Sequence, residues 1–171
     1  MQLPLPNTYW VRTGQLLAGE HPFGRDPVDA HNRLAALRAS GIDSFLDLTE
    51  SFEAPNYRRL LPRQVDYVRL PIADHDVPKE VAQMRDIQSR IRAALAADRH
   101  LYVHCRAGIG RTGLTMGCFL VEQGLDGRAA LEELNRLWQC STNAQAWPRI
   151  PETEAQAQYI RNWVSYTKQT E

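Results

Sequence analysis

The sequence predicts an α/β fold, a twisted mixed sheet flanked by helices with a ligand-binding loop between its central strand and the following helix, built as one domain over residues 1–171. Three observations carry this. Short apolar, β-favouring runs alternate with longer runs of helical periodicity, which implies strands joined by helical crossovers. A glycine-bearing loop, Cys105 to Gly113, sits between an apolar run and an apolar helix. No repeat, low-complexity tract or linker divides the 171 residues, a length suited to one hydrophobic core.

The elements follow in order. Tyr9 to Thr13 and Gln15 to Ala18 read as a strand pair turning at Gly14, and Val28 to Ser40 as a helix stopped by Gly41. Ile42 to Leu48 and Asp66 to Ile72 read as strands. Pro78 to Ala97 is a helix whose Val81, Met84, Ile91 and Leu95 share a core-facing stripe. His100 to Cys105 is the central strand, and the apolar run from Leu114 to Val121 is the helix after the loop. Two helices remain: Gly127 to Gln139, with Leu131, Leu134 and Trp138 inward, and Glu152 to Thr167, with Tyr159, Ile160 and Trp163 inward.

Chemistry concentrates in His104-Cys105-Arg106-Ala107-Gly108-Ile109-Gly110-Arg111-Thr112-Gly113. Open α/β sheets bind ligands at strand-to-helix turns of this kind. Gly108 and Gly110 let successive N–H groups converge, and the helix adds its positive end, so the loop is a cradle for an oxyanion. A thiol in that field is stabilised as thiolate, which makes Cys105 a nucleophile rather than a packed core cysteine. Arg111 supplies a planar fork that holds two oxygens of a tetrahedral anion, as a lysine could not.

The segment matches the Cys-x5-Arg-[Ser/Thr] signature and resembles the cysteine-dependent protein tyrosine and dual-specificity phosphatases, in particular their small bacterial-type members, with a layout similar to the kinase-associated phosphatase. Leu70-Pro71-Ile72-Ala73-Asp74-His75-Asp76-Val77-Pro78 is similar to the general-acid loop of that group, and Pro151-Glu152-Thr153-Glu154-Ala155-Gln156 to the segment carrying its water-positioning glutamine. Gln15 to Glu20 and Phe45 to Glu50 look like its opening strands. The resemblance implies that backbone N–H groups of Arg106, Ala107, Gly108, Ile109, Gly110 and Arg111, with the Arg111 guanidinium, bind the phosphoryl group while Cys105 attacks phosphorus. It further implies Asp74 as acid and then base, Gln156 as the residue that places the water, and no cofactor. His104 is expected to hydrogen-bond near Cys105 and support the thiolate. Thr112 either opens the helix as a capping residue or, by the family parallel, gives a hydroxyl to the sulfur.

Alternatives remain at several positions. Asp76 is the rival of Asp74, and the alternative for Gln156 is a solvated residue of a polar helical face. Asp74-His75-Asp76 could suggest a metal, but three adjacent side chains on an extended loop diverge, so no metal site is expected. The expected substrate is a phosphorylated protein, phosphotyrosine first and phosphoserine or phosphothreonine after it, with Ile109 offering an apolar contact to the ring. Glu50 to Arg59, with Phe52, Tyr57, Arg58 and Arg59, is a candidate rim or a solvated loop. A small phosphomonoester such as an inositol phosphate or a nucleotide is the alternative substrate, and a non-enzymatic phosphotyrosine-binding module the alternative class. An arsenate reductase would need resolving cysteines, which Cys118 and Cys140 are badly placed to be.

Composition excludes other classes. The formal charge is zero and the pI near 7.0, so no global field favours nucleic acid or an anionic membrane. Lys79 and Lys168 are the only lysines. Cys105, Cys118 and Cys140 fit neither a disulfide framework nor a zinc-site spacing. The first fourteen residues lack the pattern of a signal peptide, and no run reaches the ~20 apolar residues of a membrane span. A soluble, cytoplasmic monomer is expected.

Overall fold

In the computed structural model, which describes residues 3–168, five strands form one sheet in the order β1-β2-β5-β3-β4. β1 (Thr8–Arg12) and β2 (Leu16–Gly19) pair antiparallel across Gly14; β2, β5 (Leu101–His104), β3 (Ser44–Asp47) and β4 (Asp66–Arg69) run parallel. The parallel strands need crossovers, which α1 (Pro27–Ala39) and α2 (Val81–Ala96) supply. The C-terminal ends of the parallel strands therefore lie along one edge, and the loops that follow β2, β3, β4 and β5 leave from it, while residues 151–156 reach the site from outside the sheet. Gly19 pairs with His104 and His104 with Asp47 across the three strands.

The two faces of the sheet carry two cores, as the period-2 alternation of strand side chains requires. Leu46, Leu101 and Val103 face α2, α3 (Gly110–Glu122), α4 (Gly127–Trp138) and α5 (Glu154–Lys168); Leu17, Phe45 and Tyr102 face Leu34 and Leu37 of α1. α3 is buried from Gly110 to Val121 between the sheet and its neighbours, because it enters directly from the central strand. α5 crosses it closely at Gly117, where a Cβ would lie 2.3 Å from Ile160 Cδ1.

Most boundaries shift from the sequence reading, and two of the shifts bear on the site. α2 begins at Val81, three residues after Pro78, since residues 73–80 are spent on an irregular loop whose His75 has φ 58°; Gln83 Nε2 ties the first turn back to Pro71 O at 2.6 Å. β4 ends at Arg69, although Leu70 and Ile72 still donate to Asp47 O and Leu48 O, so the chain keeps contact with β3 up to the expected end at Ile72. Among the described residues no helix is long and apolar enough to cross a membrane.

Candidate active site

The loop from Cys105 to Ile109 leaves β5 and turns into α3 at Gly110. Gly108 has φ 78°, and a Cβ there would lie 2.5 Å from Gly19 C and 2.8 Å from Glu20 N, so only glycine lets the loop back onto the end of β2. His21 N donates to Arg106 O at 2.9 Å and ties the loop from the same side. Cys105, 3% exposed, lies at the floor of a cleft of about 260 Å³ whose walls include Asp74, Arg106, Arg111 and Glu152. Ile109 does not reach it: the side chain is buried in the core, which corrects the expected contact with a substrate ring. Thr112 is also buried, and its Oγ1 lies 3.5 Å from Gly19 O, the contact it makes here in place of the sulfur.

Arg111 is 2% exposed and held on both nitrogens. Nη1 donates to both carboxylate oxygens of Glu53, at 2.9 and 2.7 Å, and to Ile72 O at 3.1 Å; Nη2 reaches Asp74 Oδ1 at 2.8 Å. Burial works against its charge, but the fields of Cys105, Glu53 and Asp74 outweigh it and raise its proton affinity.

The two loop acids are separated by this geometry. Asp74 faces Arg111, whereas Asp76 turns its carboxylate onto Val77 N at 2.8 Å and offers only its backbone O to the site. That oxygen accepts from Gln156 Nε2 at 3.0 Å, and Gln156 Oε1 accepts from Thr153 N at 3.1 Å. Gln156 is thus fully buried, not a solvated residue of a polar face; its Nε2 braces the acid loop, while its Oε1 caps the start of its own helix. His75 bridges the mouth, with Nε2 3.4 Å from Asp74 Oδ2 and Nδ1 3.2 Å from Glu152 Oε2.

Beneath the cleft, His104 Nδ1 lies 3.1 Å from Cys105 O and Nε2 2.5 Å from Tyr57 Oη. A carbonyl only accepts, so Nδ1 carries the proton and Nε2 accepts from Tyr57. Burial, only partly opposed by Asp47, lowers the proton affinity of His104; burial, then Asp47, raises that of Tyr57, and both stay neutral. Tyr57 is therefore core rather than rim, while Phe52 stands 82% exposed. His21 packs edge-on against His104 with centroids 5.0 Å apart and is pushed down to about 3 by burial and by His104. Burial would raise Asp47, but bonds from Thr49 and Tyr67 outweigh it and hold it at about 2, and Arg69 Nη2 pairs with it at 2.9 Å.

His21, Asp47 and His104 bring ligand-type atoms within 4.8 Å of one another. His21 engages Nδ1 with Phe23 N at 3.2 Å and leaves Nε2 without a partner, but His104 has both nitrogens committed and Asp47 already has its guanidinium. A cation would have to break these bonds, so the cluster does not fit one.

The structure gathers Cys105, Arg106, Arg111 and Asp74 at one cleft, puts Gln156 behind it, and adds Glu53, His75 and Glu152, which sequence reasoning missed. Glu53 stands 58 residues from Arg111 in the chain, on the loop read only as a rim, and nothing local marks it as a buried partner.

The family model described as "Polymorphic toxin system, DSP-PTPase phosphatase" matches residues 21–125, more than half of the chain, including the acid loop and the cradle. The chain belongs to this DSP-PTPase phosphatase family. A putative tyrosine phosphatase, 067L, of invertebrate iridescent virus 3 is 33% identical over 103 residues, covering 57% of this chain and 41% of the relative; the 197R protein of invertebrate iridescent virus 6 is 29% identical over 101 residues, 57% and 37%. The chain thus spans about two fifths of the length of these curated relatives. Among solved structures, Tk-PTP in its active form superposes with a TM-score of 0.75 at 23% identity over 94% of this chain and 97% of that one. The kinase associated phosphatase with its catalytic-site cysteine changed to serine gives 0.71 at 17% over 96% and 97%. In this DSP-PTPase phosphatase the fold likeness runs through α4 and α5, which lie beyond the family match and carry Gln156; Glu152 lies in the segment just before α5.

Proposed function

We propose that this chain hydrolyses phosphotyrosine in proteins, with phosphoserine and phosphothreonine as further substrates, through a phosphocysteine intermediate. The observation that carries the reading is Cys105 at the floor of the cleft whose wall holds Arg111 2.8 Å from Asp74. Oxygens of the phosphoryl group take the Arg111 fork and the N–H groups of Arg106, Ala107, Gly108, Ile109 and Gly110, and Asp74 gives up its place on Nη2. Cys105 Sγ attacks phosphorus in line, the P–O bond to the leaving group breaks, and Asp74 delivers its proton to that oxygen. Water then attacks phosphorus, its proton returns to Asp74, the S–P bond breaks with both electrons to sulfur, and phosphate leaves.

In this scheme Gln156 acts through Asp76 O, holding the acid loop in place, in contrast to the water-placing role that the resemblance suggests. His104 keeps the Cys105 carbonyl turned away from the thiolate, and Thr112 helps the sulfur leave by rotating its hydroxyl from Gly19 O. No step calls for a cofactor. The reading treats residues 1–171 as one catalytic domain, a monomer in the cytoplasm, where its three free cysteines stay reduced. The test is Cys105→Ser on a phosphotyrosine peptide: turnover should vanish while phosphate still raises the melting temperature. Activity within about tenfold of the parent would sink the covalent route.

A further inference from the structure

Next to the catalytic cleft lies a second cavity that the chemistry above does not use. It measures about 540 Å³ against about 260 Å³ for the cleft, opens between the turn that follows β2 and the Glu53–Pro55 turn, and shares Arg106 with the cleft. Its lining holds three carboxylates and three guanidiniums. Every carboxylate is taken: Glu20 by Arg33 at 2.7 Å, Asp29 by Arg25 at 3.4 Å, and Glu53 by Arg111. The cations are not all taken. Among the described residues Arg106 has no ion-pair partner, only a 3.4 Å contact to Glu53 O, and its side chain is exposed. Arg33 keeps a buried Nε without an acceptor, and Arg25 is 89% exposed. The unspent charge of the cavity is therefore positive.

We propose that this cavity is the subsite for a residue beside the phosphorylated one in a polypeptide substrate, and that Arg106, backed by Arg33, selects an anionic side chain there. The proposal rests on the phosphatase reading and adds to it the sequence context of the substrate. Residues of an extended chain follow one another at roughly 3.3 Å, so a neighbour one or two positions from the phosphorylated residue reaches the adjoining cavity. An anionic side chain gains Arg106 without displacing any existing pair. A lysine would meet the unpaired Arg106 with no carboxylate free to receive it.

The test compares phosphotyrosine peptides carrying Glu, Gln, Lys or phosphoserine at each position within two residues of the phosphotyrosine, with p-nitrophenyl phosphate as a substrate that has no flank. Each is run on the parent, Arg106→Ala and Ala54→Glu; Ala54 lines the cavity and lies outside the catalytic groups. The reading is the ratio of kcat/KM for Glu against Lys within one protein, which cancels any change in basal turnover. At one position the parent ratio should be about tenfold or more, falling to about twofold in Arg106→Ala and below one in Ala54→Glu. Phosphoserine outrunning Glu there makes the ligand a second phosphate; Glu equal or better makes it a carboxylate. A parent ratio near one at every position, or a ratio unchanged in both variants, overturns the subsite while turnover of p-nitrophenyl phosphate keeps the phosphatase reading. A parent inactive on every substrate overturns both.

Discussion

Removing the Glu53 carboxylate should loosen Arg111 and lower stability by an amount the geometry bounds. Both oxygens of Glu53 accept from Nη1, and the two side chains are 8% and 2% exposed. Breaking a buried pair by deleting one partner costs roughly 3–5 kcal/mol, because the other charge is left uncompensated. Here Ile72 O and Asp74 still hold Arg111, so Glu53→Ala should fall at or just below that range, at about 2–3 kcal/mol. At roughly 2–4 °C per kcal/mol for a domain of this size, the melting temperature should fall by about 4–12 °C. Glu53→Gln keeps the volume and one accepting oxygen and should lose about half as much. Phosphate supplies the acceptors that Glu53 no longer offers, so saturating phosphate should narrow the gap between Glu53→Ala and the parent. Thermal unfolding followed by circular dichroism, with and without phosphate, measures all of this. A Glu53→Ala protein melting within about 1 °C of the parent, or a gap that phosphate leaves unchanged, would refute the pairing as the anchor of Arg111.

Asp74→Asn should slow a phosphotyrosine peptide by roughly 10²–10⁴ and an activated aryl phosphate far less, since a stable leaving anion hardly needs the proton, while Asp76→Asn stays within about threefold on both. Reversed phenotypes in these steady-state rates would move the acid to Asp76. The two buried imidazoles predict acid sensitivity: His21 is pushed down to about 3 and His104 is lowered as well, so below the free-imidazole value of about 6.5 the unfolded chain takes protons that the folded chain refuses. The contribution of His21 is whole above that value and is lost as pH falls toward about 3, at about 1.4 kcal/mol per pH unit for the refused proton, and His104 adds to the loss in the same direction; Asp47, held at about 2, adds to it only below about 4. His21→Asn, which keeps an acceptor for Phe23 N, should flatten the slope between pH 6 and 4 in urea unfolding by about one proton, and equal slopes in parent and variant would count against this account.

The residues that could be read without coordinates are those whose job is local. Consecutive N–H groups, the φ 78° of Gly108 and the entry of α3 belong to one stretch of chain, so Cys105 and Arg111 announce themselves by spacing alone. The strands and helices are legible for the same reason: periods of 2 and 3.6 are properties of neighbours in sequence, and the ends of α2 and β4 shift only where the acid loop draws residues away. The resemblance alone favours Asp74 over Asp76 in the sequence; that Asp74 meets a guanidinium while Asp76 meets Val77 N is visible only in the fold.

What the chain alone leaves open is whatever depends on which distant surfaces meet. Ile109 looks free in the loop and is buried; Gln156 reads as a site residue or a solvated one and is enclosed; Tyr57 looks like rim and holds His104. The strand order puts β3 between β4 and β5, and only that order brings the loop after β3 over the cradle, where Glu53 meets Arg111. A carboxylate 58 residues away carries no local mark of the partner it will find, because its value as a partner comes from burial, and burial is decided by packing of the whole sheet.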